Sequence, residues 1–144
     1  MLKFSVMAEA RQASLLTRAV ARGIDLILVI TAAQVLHTAG FLAGVGYILI
    51  GDGVAGGASL GKRLMGLAVK GPQGAPCQVR ESALRNATIA LALLLWKIPF
   101  AGWILTLVIF TLEFLVLFGS PEARRIGDEI ANTWVVEARF KEAV

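Results

Sequence analysis

Gly61-Lys62-Arg63-Leu64-Met65-Gly66-Leu67-Ala68-Val69-Lys70 returns 66 positions later as Gly127-Asp128-Glu129-Ile130-Ala131-Asn132-Thr133-Trp134-Val135-Val136. Glycine, a charged pair, an aliphatic, a turn residue and a valine keep their places, while the charges invert. Upstream, Arg18 and Arg85 each precede a long apolar block that leads into its copy of the motif. The chain therefore reads as one domain built from two copies of a unit: repeat one over about 18–70, a linker over 71–80, and repeat two over about 81–138.

With 57% hydrophobic and 17% charged residues, the chain has more apolar surface than a soluble domain of 144 residues can bury. The expected solvent is the lipid bilayer. Met1 to Thr17 carries Lys3, Glu9 and Arg11 and lacks the apolar core of a signal peptide, so the first apolar block is expected to stay in the mature protein. The single cysteine, Cys77, has no intrachain partner. The net charge of +4 comes from residues that flank apolar blocks instead of forming a stripe with aromatics, which argues against nucleic acid as a partner.

The first block, Ile24 to Ile50, is interrupted at His37-Thr38-Ala39-Gly40, and the second, Ala87 to Phe118, at Lys97-Ile98-Pro99 and at Glu113. All the flanks are basic: Arg11, Arg18 and Arg22, then Lys62, Arg63, Arg80 and Arg85, then Arg124 and Arg125. By the positive-inside rule they share the cytoplasmic side, together with both termini, and each block crosses an even number of times. The fold expected is an all-α membrane protein of two pseudo-symmetric transmembrane helical hairpins, each followed by a short amphipathic helix and a short cytoplasmic strand. A single span per block is the competing topology; it would place the central segment outside. Arms of ~25 Å, against a hydrocarbon core of ~30 Å, would be short.

Ser59 is placed to cap the first short helix, and Ser120 the second, with Pro121 at its first position. Gly66 and Asn132 occupy the same place in the two copies and suit a left-handed helix stop. Leu67 to Lys70 and Thr133 to Ala138 read as strands, with Cys77 to Val79 a candidate return strand after the Gly71-Pro72-Gln73-Gly74 turn. The tail from Lys141 reads as frayed.

Arg18, Arg22 and Asp25 share one helix face at the membrane entry, and either arginine is a candidate partner for Asp25. Asp128 is within reach of Lys62 and Arg63 of the first copy, or of Arg18 and Arg85. Two roles fit such a cluster: a proton-linked vestibule, or a salt-bridge network that docks the two copies. Glu113 is either a second intramembrane carboxylate or a residue reaching back toward Arg124. Lys97, with Trp96 and Trp103, reads as an interface anchor. His37 has no neighbours at metal-ligand spacing, so neither a metal nor a cofactor is expected. Gly40 and Gly44, with Ala39 and Ala43, form small-residue spacings that would suit a homo-oligomer. No nucleophile has an activating base, and no phosphate-binding glycine loop precedes Lys62, so the chain is not expected to be an enzyme.

Arg18-Ala-Val-Ala-Arg-Gly-Ile-Asp25, Ser59-Leu-Gly-Lys-Arg-Leu-Met-Gly-Leu-Ala-Val69, Arg85-Asn86 and Arg124-Arg-Ile-Gly-Asp128 together resemble the RDD family of small prokaryotic membrane proteins. The resemblance implies that the arginine and two aspartates for which that family is named are Arg18, Asp25 and Asp128, with Gly61, Lys62, Arg63, Gly66 and Arg85 as motif residues. Gly127 stands where the family often has histidine, and Asn132 where it usually has glycine. The resemblance also implies a multi-pass protein of the inner, cytoplasmic membrane with a transport-related role, linked to a cation or a proton. The alternative is an accessory subunit bound to a larger membrane protein.

Overall fold

The computed structural model describes residues 12–54 and 56–138; the tail beyond them, with its expected fraying, lies outside the described residues. Helix α1 (Leu15–Val54) contains both arms of the first apolar block, because the chain breaks at His37, which takes φ 52° and ψ −128°. Past this point the chain runs back along itself. Gly40 lies against the Ala32 backbone and Gly44 against Val29, so these two glycines close the two arms on each other. The arms, 15–36 and 38–54, are ~33 Å and ~26 Å long at ~1.5 Å per residue. Helix starts at Leu15, ahead of the apolar run, so the first arm is longer than that run alone suggests, and the second continues past Ile50 to Val54.

The second block behaves similarly. Helix α3 (Val79–Leu95) and helix α4 (Ala101–Gly119) flank a break in which Phe100 takes φ 58°. The Thr106 hydroxyl donates to the Ala92 carbonyl at 3.0 Å, and Gly102 sits against the Leu95 backbone. Lys97 at this break lies 4.5 Å above the Phe41 ring, so the two reversals are neighbours at one end of the molecule. The Ser82 hydroxyl donates to the Leu49 carbonyl at 2.7 Å and seats α3 on the second arm. Val29, Ile48 and Ile89 pack between these helices. Two helices, Leu15–Val54 and Ala101–Gly119, are long and apolar enough to cross a membrane. Their outward faces carry Ile27, Ile30, Leu107 and Leu115, all more than half exposed, as expected where lipid replaces water.

At the other end stand the short elements: α2 (Leu60–Leu64), β1 (Leu67–Lys70), α5 (Ile126–Ile130) and β2 (Trp134–Glu137). The strands pair antiparallel, Leu67 opposite Glu137 and Lys70 opposite Trp134. Gly66 and Asn132 both take positive φ, 65° and 51°, the helix stop expected from their types.

Three local expectations are corrected. Ser120 and Pro121 do not open the second short helix: Ala123 turns the chain with φ 50°, and α5 begins at Ile126, where the Asp128 carboxylate accepts the Arg125 N–H at 3.4 Å. Ser59 sits at the N-cap of α2, but its hydroxyl is engaged by Asp25 and caps nothing. Cys77–Val79 forms no strand. Its pairing stops at a Lys70–Pro76 bridge and a Cys77 N–H to Val69 bond of 3.1 Å, because Glu81 accepts the Gln78 N–H and starts α3 at Val79.

The repeated glycines are contact points. A Cβ on Gly61 would collide with the Ala21 carbonyl, and one on Gly127 with the Arg85 carbonyl. Each short helix thus begins flush against the backbone of a long one. Gly127→Ala is expected to lose about 1–3 kcal/mol of stability through this backbone clash. Gly46→Ala, where nothing lies within 4 Å, should be neutral or slightly stabilising. Thermal unfolding of both variants in uncharged detergent checks this; equal melting temperatures would refute the close-packed docking of α5 on α3.

Candidate functional site

The charged residues converge where the short helices meet the ends of the arms. Asp128, on α5, binds two arginines from different arms: Arg18 Nη2 at 2.9 Å from Oδ2, and Arg85 Nη2 at 2.7 Å from Oδ1. Arg125 Nε stands 3.6 Å away. Burial alone would raise the Asp128 carboxyl, but Arg85, Arg125 and Arg18 hold it below the usual carboxylate range. Arg85 has a fully buried side chain and reaches a second acid, Asp52, at 3.6 Å. Asp52 in turn takes Lys62 Nζ at 2.5 Å, the Ser59 N–H at 3.1 Å and Asn86 Nδ2 at 3.3 Å. Burial, reinforced by Arg22, pulls the Lys62 ammonium down to about 7 in spite of Asp52.

Asp25 is fully buried, and neither Arg18 nor Arg22 is its hydrogen-bond partner. Its carboxylate accepts from Tyr47 Oη at 2.7 Å, Ser59 Oγ at 2.6 Å and the Gly61 N–H at 2.8 Å. The face shared with the arginines points both of them elsewhere: Arg22 donates to Asn86 Oδ1 at 2.9 Å, and Arg18 to Asp128 and the Ala123 carbonyl. Asp25 therefore ties α2 to the first arm. Lys62 pairs with Asp52 and not across the repeat with Asp128 or Glu129, while Arg63 is exposed. Among the expected partners of Asp128, Arg18 and Arg85 are the ones that reach it.

Glu113 lies apart, buried between α3 and α4, with Oε1 accepting from Thr88 Oγ1 at 2.5 Å and Oε2 buried without a partner. It does not reach Arg124, which approaches Glu122 at 3.6 Å, donates to the Asp128 carbonyl and stacks over Trp134. Cys77 is buried, and burial pushes its thiol up to about 11, so it is a poor reporter of sidedness in the folded protein. Among the described residues no cluster of His, Cys, Asp or Glu could hold a metal ion.

Asp52 is the residue that sequence reasoning missed. It stands between Gly51 and Gly53, just past the apolar run, ten residues before the lysine it binds. A lone acid at a block's end, spaced for a basic motif, was the available signal. Tyr47, Ser59 and Asn86 join the network as neutral groups, and no charge pattern announces them.

A family model for the RDD family matches residues 31–132, most of the chain. The chain belongs to the RDD family. The matched span contains Lys62, Arg85 and Asp128 and begins downstream of Arg18, Arg22 and Asp25. Comparison with curated proteins and with solved structures gave no match. As an RDD protein with two helices apolar enough to cross a membrane, the molecule is of the helical membrane type.

Asp25→Asn tests the clasp on α2. The amide keeps the shape but turns one acceptor into a donor that faces donors only, which leaves a buried N–H or hydroxyl without a partner. The expected loss is about 1–3 kcal/mol, read as a lower melting temperature. An unchanged melting temperature would mean that Asp25 does not hold α2 through its carboxylate.

Proposed function

We propose that this RDD protein is a non-catalytic, multi-pass protein of the prokaryotic inner membrane that takes part in cation- or proton-linked transport, with Glu113 as the intramembrane exchanging group. The observation that carries the reading is Glu113 itself: a buried carboxylate in the most apolar helix, with one hydroxyl partner and one unpartnered oxygen. Intramembrane acids are costly and mark ion or proton paths when no structural partner fixes them. Asp25, by contrast, has donors on both oxygens, and Asp128 is held by the Arg18 and Arg85 guanidiniums; both hold the fold.

In the proposed topology each apolar block is a hairpin across the membrane, and the two are pseudo-symmetric. Support comes from the folded-back contacts within each block, from Gly61 and Gly127 docking alike on long-helix backbones, and from Trp96 and Trp103 near the reversal opposite the basic cluster. Both termini and the 71–78 segment are then cytoplasmic. Ala75→Cys supplies an exposed thiol in that segment beside the buried Cys77. A membrane-impermeant thiol reagent is expected to label it only after the cells are permeabilised; labelling of intact cells would overturn the hairpin topology.

The accessory-subunit reading has one observation in its favour. Phe110, Phe114 and Phe118 form an exposed stripe at helical spacing on α4, a face that a partner helix would cover as well as lipid does. The variant Glu113→Gln separates the two readings. In proteoliposomes carrying a cation gradient and an internal pH-sensitive dye, the folded variant is expected to lose proton flux about 100-fold or more, the scale of removing a proton-transfer group. A folded variant with wild-type flux, or a wild type with none, removes Glu113 from transport and leaves the accessory role ahead.

A further inference from the structure

The charged end encloses a cavity of about 170 Å³. Arg18, Arg22, Lys62, Arg85 and Arg125 all line it, and among the described residues no carboxylate does. The nearby acids stand behind the cations: Asp52 takes Lys62 and Arg85, and Asp128 takes Arg18, Arg85 and Arg125. Even with Asp25 counted, among the described residues five basic side chains face three buried carboxylates, and the four arginines alone exceed them by one positive charge. Arg85 adds an independent sign. Its side chain is fully buried, yet none of its guanidinium nitrogens makes a hydrogen bond of good geometry, even where Nη2 stands close to Asp128.

A buried surplus of cations is costly unless an anion shares the space. Guanidinium forks from several directions suit the tetrahedral oxygens of a phosphate, which accept more than one bond each and carry up to two charges. The rim adds a second property: Leu15, Ala19 and Leu117 border the cavity, with Leu15 and Ala19 exposed on the outer face of the first arm. A phosphate entering from the side would keep attached acyl chains on apolar surface, as basic pockets between membrane helices do with lipid headgroups.

We propose that this cavity is a binding site for a phosphate group, carried by an anionic phospholipid or supplied as inorganic phosphate, which neutralises the surplus charge between the first arm, α2, α3 and Arg125. The site is independent of Glu113 and of the transport reading. Occupancy would join elements that otherwise meet only through buried ion pairs, so the ligand should stabilise the fold.

The test uses the full chain, purified and delipidated in uncharged detergent. Native mass spectrometry measures retention of phosphatidylglycerol against phosphatidylcholine, and thermal unfolding compares sodium phosphate with sodium chloride at equal ionic strength. Preferential retention of phosphatidylglycerol identifies a lipid headgroup; stabilisation by phosphate over chloride identifies the free anion. Arg125→Gln, at the partly exposed edge, and Arg22→Gln are each expected to weaken binding about tenfold, the scale of a lost hydrogen bond between charged groups. Arg80→Gln, exposed and outside the cavity, should bind as wild type does. Equal retention of the two lipids together with no phosphate effect overturns the site, and so does wild-type affinity in both arginine variants. Because the lipid and phosphate comparisons are made on the wild type, they decide the matter even where a variant fails to fold.

Discussion

Arg85 between Asp52 and Asp128 is the constraint on which the rest of the structure depends. In lipid, apolar side chains gain nothing by leaving the solvent for one another, so helices there are positioned by close packing and polar links. Arg85 stands on α3, Asp52 near the end of the second arm and Asp128 on α5, so one guanidinium fixes three elements from both halves of the chain. Arg18 adds the first arm through Asp128, and Lys62 adds α2 through Asp52. Removing one member of such a set leaves another charge buried without its partner, at a cost of about 3–5 kcal/mol, more than the intact pair contributes.

The inverted charges of the two motifs make sense in this frame. Lys62 and Asp128 do not bind each other; each binds the arms. Lys62, on the first motif, meets an acid ten residues before it, and Asp128, on the second, meets arginines on helices from both halves of the chain. The glycine ahead of each charge has the complementary task, since only without a Cβ do Gly61 and Gly127 come flush to the Ala21 and Arg85 carbonyls. Backbone contact sets the distance and the charge sets the direction. The sheet then follows, because two helix stops of the same kind, Gly66 and Asn132, release the chain into strands that run antiparallel and pair.

What could be read in advance was whatever depends on local chemistry. Apolar runs, basic flanks, breaks at His37 and before Gly102, and the left-handed stops at Gly66 and Asn132 are each decided within a few residues. For Asp128, charge alone offered two sets of partners, Lys62 with Arg63 or Arg18 with Arg85, and only the folded structure selects the second. Pairings chosen by three-dimensional proximity were not legible. Asp25 shares a helix face with two arginines, yet that face turns both toward Asn86 and Asp128, and α2 arrives from elsewhere to satisfy Asp25 with a hydroxyl and an N–H. Asp52 was hidden for a related reason. Its glycine neighbours make it look like the start of a loop, whereas helix continues through it to Val54 and buries it.

Partnering separates the ionisable groups by role. Asp25 and Asp52 each accept from several donors at short range, and Asp128 is held between Arg18 and Arg85, so all three tie elements of the fold together. Glu113 retains an unpartnered oxygen, and Arg85 has nitrogens that lie near acids without good hydrogen-bond geometry. These are two of the places, among the described residues, where bonding capacity remains for something other than the protein itself. They lie in different settings, one along an apolar helix and one at the basic end. The ion or proton path proposed for the first and the anion site proposed for the second would be separate demands on the same small fold, joined through α3, which carries both Thr88 and Arg85, and through α4, which carries both Glu113 and Leu117.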